Sequence, residues 1–109
     1  MQEFIVIYVT AGSITEASRL AHALVAERLA ACVNQIGPIQ SVYRWEGKLE
    51  QSEEQLLIIK TRKELFTAVE KRVRELHSYS VPEIVALPII DGSPDYLRWL
   101  GEQVAGGAA

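Results

Sequence analysis

Cys32, His77, Lys60, Tyr79 and Glu83 are the residues of this chain best equipped for chemistry, and their types limit what that chemistry can be. Cys32 is the only cysteine, so no disulfide forms within the chain. It is expected to start a strand straight after a helix, where the negative end of the helix disfavours a thiolate and so a nucleophile. It reads either as a small buried hydrophobe or as a soft-metal ligand that needs partners brought in by folding or assembly. His77 falls at a helix end, where an imidazolium favours the macrodipole, and that capping role stands beside a role in a site. Lys60 closes one apolar strand and Glu83 opens another after Pro82, with His77 and Tyr79 expected near the same strand ends. Such a group can bind a small anion or a metal, or form a buried ion pair. His22 lies mid-helix and is expected at the surface. There is no Cys-x-x-Cys, His-x-x-x-His or His–Glu pair at ligand spacing, which excludes a preformed structural zinc site. Nor is there a glycine-rich phosphate loop, a hydrolase serine motif or a nucleophile–base–orienter set, so an enzyme ranks last among the readings.

The composition narrows the partners. The chain has 109 residues, 49% apolar and 23% charged, which is the balance of one folded domain with one core. A net charge of −3 without a Lys/Arg cluster argues against nucleic acid. No apolar stretch approaches the ~20 residues needed to span a bilayer, so direct membrane insertion is not expected. Met1-Gln2-Glu3 lacks the basic flank and cleavage site of a signal peptide, which makes the cytoplasm the expected compartment.

Seven elements must position these residues. Phe4 to Val9 is continuously apolar and β-branched, as in a strand buried on both faces. Ser13 with Glu16 is a capping box that starts a helix carrying Ala17, Leu20, Ala21, Leu24, Val25 and Leu29 on one stripe and ending near Ala31. Cys32 to Ile36 is extended, Gly37-Pro38 forces a bulge, and Ile39 to Trp45 alternates with Ser41, Tyr43 and Trp45 on one face. Glu46-Gly47 is a tight turn, and the chain returns through the acidic run Glu50–Glu54, expected as a solvated stretch of strand, into Leu56 to Ile59. A second capping box, Thr61 with Glu64, starts the next helix. Val81-Pro82 leads into a fourth strand from Glu83 to Leu87, where Pro88 marks an edge or a terminus. Ser93 as N-cap and Pro94 at the first helical position open a last helix, and Gly106 to Ala109 is expected to fray. The order β-α-β-β-α-β plus a C-terminal helix is the split βαβ, ferredoxin-like plan, an α+β fold.

The hairpin overruns its own subunit. A globule of this length is roughly 35 Å across. An arm from Val33 to Trp45 reaches about 40 Å at ~3.3 Å per residue. Its tip carries Tyr43 and Trp45, large aromatics that call for cover. A closed homo-oligomer is the expected cover, the other arrangement being a hairpin bent back at Gly37-Pro38.

Taken together, Ala31-Cys32-Val33-Asn34, Ser41-Val42-Tyr43-Arg44-Trp45-Glu46-Gly47-Lys48, Glu53, Lys60-Thr61, His77-Ser78-Tyr79-Ser80-Val81-Pro82-Glu83-Ile84 and Tyr96-Leu97-Arg98-Trp99-Leu100 resemble the CutA divalent-cation tolerance family over the whole chain. The resemblance implies a single CutA-type domain over residues 1–109 and a homotrimer, similar in architecture to PII signalling proteins, with Tyr43 and Trp45 at the trimer interface. It also implies binding of copper or another divalent cation such as zinc through Cys32 and His77, with Glu83 as a candidate oxygen ligand. No organic cofactor and no enzymatic activity come with it. Two other readings stand beside it: a signalling module with Lys60 and Tyr79 lining an inter-subunit effector cleft, and a structural trimeric scaffold.

Overall fold

The computed structural model describes residues 3–106. The expected start at Met1-Gln2 and the fraying of Gly107 to Ala109 lie outside them. The elements run β1 (Phe4–Ala11), α1 (Ile14–Ala26), β2 (Cys32–Trp45), β3 (Lys48–Arg62), a 3₁₀ turn (Lys63–Leu65), α2 (Phe66–Leu76), β4 (Ile84–Ile89) and α3 (Pro94–Gln103). The sheet order is β2-β3-β1-β4 and every neighbouring pair is antiparallel, which is the ferredoxin-like arrangement.

The hairpin forms as its turn chemistry demands. Glu46 and Gly47 have φ of 50° and 78°, the left-handed pair that joins two twisted strands in two residues. Ile36 pairs with Leu56 and Ile39 with Glu54, so Gly37 and Pro38 together oppose one residue as a bulge. A Cβ at Gly37 would meet the Gln55 side-chain amide, so a larger residue there requires Gln55 to move. The principal extents are 47 × 25 × 22 Å, and the long axis reflects the projecting hairpin. Pro88 lies in β4, an edge strand, where its missing N–H costs no ladder bond on the open side.

Two helix boundaries differ from expectation. α1 ends at Ala26, five residues early, because Arg28 turns to φ 60° and the N–H groups of Leu29 and Ala30 both fold back to the Leu24 carbonyl. The Arg28 side chain then donates to the carbonyls of Glu102, Gln103 and Val104 at the end of α3, a tertiary tie that holds the turn. The second capping box does not form. Thr61 is fully buried in β3 and its hydroxyl donates to the Leu29 carbonyl at 2.7 Å instead, while α2 begins after a 3₁₀ turn. Ser93 occupies the N-cap of α3 but its hydroxyl makes no capping bond. Gly106 is held by Arg62, whose guanidinium donates to the carbonyls of Ala105 and Gly106.

The core lies between the sheet and α1 and α2: Ile5, Ile7, Val9, Leu57 and Ile59 meet Leu20, Leu24, Val69 and Val73. A smaller cluster of Ala31, Leu100 and Val104, with Phe4 and Leu65, seats α3. Strand alternation sends the residues between these core positions to the opposite face. There the register lines up Cys32–Lys60–Val6–Leu87 and Asn34–Ile58–Tyr8–Val85 as two rows across the sheet. Neither α1 nor α2 covers this face, and its Val85 and Leu87 stand 48% and 42% exposed.

Candidate functional site

The strand register decides which candidate residues meet. Cys32 and Lys60 are cross-strand partners on the face opposite α1 and α2. The Cys32 thiol is half-buried and lies 3.9 Å from the Asn34 amide oxygen. It follows a five-residue turn and not a helix end, so the expected dipole penalty does not reach it. The Lys60 ammonium lies over the Tyr96 ring, 5.9 Å from its centre, and Tyr96 in turn stacks on Trp99.

His77 belongs to the other end of the sheet. It is 9% exposed, and its Nε2 lies 2.6 Å from the Thr10 carbonyl while the Tyr79 backbone N–H donates to Nδ1 at 3.0 Å. A carbonyl only accepts and an amide N–H only donates, so the ring carries its proton on Nε2 and both nitrogens are occupied. Thr10 is four residues along β1 from Val6, which shares a row with Cys32, and β1 is two strands from β2. That separation is roughly 16 Å between backbones. One subunit therefore does not bring Cys32 and His77 together, and among the described residues no group of three Cys, His, Asp or Glu side chains converges as metal ligands would. Lys60 and Tyr79 are likewise at opposite ends and share no cleft within one subunit.

The end occupied by His77 does hold a cleft of about 580 Å³. Its walls are Thr10 of β1, Ser41, Tyr43 and Trp45 of the hairpin, Glu54 of β3, and Tyr79 and Glu83 of the segment leading to β4. Ser41, Tyr43 and Trp45 all line it, and so does Val42 between them, so the cleft does not sort the hairpin residues by alternation. The Tyr79 hydroxyl donates to the Glu54 carboxylate at 2.9 Å. Burial first, and then the Glu54 carboxylate, push the Tyr79 pKa up to about 12, so the hydroxyl keeps its proton and remains a donor. Glu54 is 7% exposed, which corrects its reading as part of a solvated run. An acidic run in sequence carries no sign of which member the bulge at Gly37-Pro38 turns inward.

Glu16 ties this segment to α1. The Ser13 hydroxyl accepts from the Glu16 N–H as the capping box requires, and the Glu16 carboxylate accepts from Gly12 N–H and from both the N–H and the hydroxyl of Ser78. Burial raises its pKa, but Ser78, the His77 ring and Gly12 outweigh that and the net shift is downward from 4.5. A folded-state pKa below the unfolded one gives stability that is present above the unfolded value and lost as pH falls through the folded value. Melting temperature is therefore expected to fall as pH drops below about 4.5, and Glu16→Gln should flatten that slope in a calorimetric pH series. An unchanged slope would assign the acid sensitivity to other carboxylates.

A family model described as CutA1 divalent ion tolerance protein matches residues 5–103. The chloroplastic Protein CutA of Arabidopsis thaliana is 50% identical over 96 residues, which cover 88% of this chain and 53% of the relative, so this chain spans about half the plant protein's length. The divalent-cation tolerance protein CutA of Thermus thermophilus is 48% identical over 97 residues, covering 89% and 94% of the two chains. Its solved structure superposes with a TM-score of 0.91 over 96% of this chain and all of that one, at 47% identity. The periplasmic divalent cation tolerance protein CutA of Archaeoglobus fulgidus superposes with a TM-score of 0.88 at 46% identity, over 94% and 98% of the chains.

Proposed function

The chain belongs to the CutA1 divalent ion tolerance protein family, and on that premise we propose that it works as a homotrimer that binds divalent cations, copper or zinc, in the response to metal. The uncovered apolar face of the sheet carries this reading. α1 and α2 cover one side of the sheet, and on the other α3 reaches only the Phe4 and Lys60 end, which leaves Val6, Tyr8, Ile58, Val85 and Leu87 as an apolar stretch beside Lys60 and Asn34. The projecting hairpin, with Tyr43 and Trp45 at 42% and 47% exposure, extends the same contact. The number three rests on the family resemblance, as does one CutA-type domain over the whole of residues 1–109. No helix among the described residues is long and apolar enough to cross a membrane. The cytoplasm is our proposed compartment, although one relative is named chloroplastic and another periplasmic.

In this reading Cys32, His77 and Glu83 contribute to metal binding from different subunits, since one subunit holds the first two far apart. Cys32 is the soft donor, Glu83 an exposed oxygen donor, and His77 ligates only by giving up the Tyr79 N–H. Titrating Cu(II) and Zn(II) into the assembled protein and into Cys32→Ser tests this. Saturation at a whole number of ions per trimer, lost in Cys32→Ser, is the expected result. Equal binding by both proteins would remove Cys32 from the site.

A second reading is favoured by the 580 Å³ cleft: a module that binds a small effector where the hairpin meets the segment before β4, with Tyr79 in its wall. Lys60 enters such a cleft only from a neighbouring subunit.

A further inference from the structure

Asp91 and Gly92 form the one Asp-Gly pair of the chain, in the connection between β4 and the N-cap of α3. Both are exposed, and the connection lies beyond the end of β4, outside the sheet stretch and hairpin proposed as the contact between subunits. The Gly92 N–H donates to the Asp91 carboxylate at 2.9 Å and, among the described residues, to no backbone carbonyl outside a helix or strand. Nor, among those residues, does an ion pair hold the carboxylate elsewhere. The side chain is therefore folded over the nitrogen of the next residue, which is the approach that closes a five-membered ring on the backbone. Glycine in the second position favours closure, because it has no Cβ to crowd the nitrogen and few limits on its dihedrals. Closure breaks no ladder bond, since Gly92 belongs to neither strand nor helix.

The other residues with this chemistry are held. Asp95 lies in the first turn of α3, is followed by Tyr96 and pairs with Arg98 at 2.9 Å. Asn34 is followed by Gln35 and sits in β2 opposite Ile58. The chain contains no further aspartate or asparagine.

We infer that Asp91 is a site of spontaneous covalent modification, cyclising onto the Gly92 nitrogen to a succinimide that reopens as isoaspartate. The nitrogen attacks Cγ of the protonated carboxyl. The N–Cγ bond forms, the Cγ–OH bond breaks, and the hydroxyl leaves with the amide proton as water. A second water then cleaves one of the two imide C–N bonds. Cleavage at Cγ restores aspartate, and cleavage at the main-chain carbonyl leaves a β-linked residue with a free α-carboxylate. No oxidant, reductant or cofactor enters. The product carries one extra main-chain methylene directly ahead of Ser93 and Pro94, the N-cap and first residue of α3. Its α-carboxylate is the group that an isoaspartyl carboxyl methyltransferase recognises.

The test ages the full chain in its assembled state at neutral pH and physiological temperature, beside a sample unfolded in urea. Trypsin releases Asp91 in the peptide from Glu75 to Arg98. That peptide is expected to gain, over time, an isobaric partner that accepts a methyl group from S-adenosylmethionine and an intermediate lighter by one water. Electron-transfer fragmentation should place both at position 91. Asp91→Glu, whose longer side chain would need a six-membered ring, should lose both products, and Asp95→Glu should keep them. Gly92→Ala should slow their appearance, at the cost of a small shift in the Leu97 side chain 3.3 Å from the new Cβ. Accumulation in the unfolded sample alone would overturn the inference by showing that the folded connection protects Asp91. Methyl incorporation unchanged in Asp91→Glu would overturn it by placing the reaction at another residue.

Discussion

Val85→Glu is expected to leave each subunit folded and to dissociate the assembly. Val85 is 48% exposed on β4, next to Tyr8 in a cross-strand row that continues to Ile58. In a separated subunit the new carboxylate meets water, and a substitution of this kind changes stability by no more than about 0.5 kcal/mol. In an assembly that covers the face, the same carboxylate is buried without a partner, at a cost of several kcal/mol repeated in every subunit. Sedimentation velocity should show a monomer, with a far-ultraviolet circular dichroism spectrum like that of the parent. Ile90→Glu is the control: Ile90 lies beyond the end of β4 and is 93% exposed, so no change in sedimentation is expected. Trp45→Glu should act in the same direction if the hairpin tip lies in the contact. A Val85→Glu protein that sediments like the parent would show that this face is not the interface, and the proposed sharing of metal ligands across it would lose its basis.

What the sequence displays is mostly what neighbouring residues decide among themselves. Phe4 to Val9 reads as a strand because every position is apolar, and Glu46-Gly47 reads as a hairpin turn because few pairs adopt two left-handed conformations in succession. Gly37-Pro38 announces its bulge for similar reasons. The misses have distant causes. α1 stops at Ala26 because Arg28 is captured by carbonyls some 75 positions away, which no local pattern records. Thr61 looks like an N-cap until the sheet register puts it on the core face, where the Leu29 carbonyl takes its hydroxyl. Within one subunit, Lys60 and Tyr79 do not meet, for the same reason. Both stand near strand ends in the sequence, but antiparallel strands have two ends, and the register assigns Lys60 to the row of Cys32. Glu54 is the member of the candidate site that sequence reasoning missed, and only burial distinguishes it from Glu50 and Glu53.

His77→Ala is expected to destabilise the metal-free protein by about 3 kcal/mol, through the buried groups it strands. The Thr10 carbonyl would lose its donor at 2.6 Å and the Tyr79 N–H its acceptor at 3.0 Å, at a site where the ring is only 9% exposed. At fixed protein concentration that should lower the melting temperature by roughly 10 °C in a chelator-treated sample. Two further variants separate the bonds. Glutamine can reach Thr10 with its amide N–H but offers Tyr79 no acceptor in the Nδ1 position, whereas asparagine presents an oxygen near Nδ1 and does not reach Thr10. Each should recover part of the loss. If His77 instead served only to bind metal, the chelated His77→Ala protein would melt with the parent and the difference would emerge only on adding Cu(II) or Zn(II). The two roles compete for one lone pair: a metal ion on Nδ1 must evict the Tyr79 N–H, and Tyr79 is the residue that positions Glu54. A metal held by His77 would therefore loosen the Tyr79–Glu54 contact.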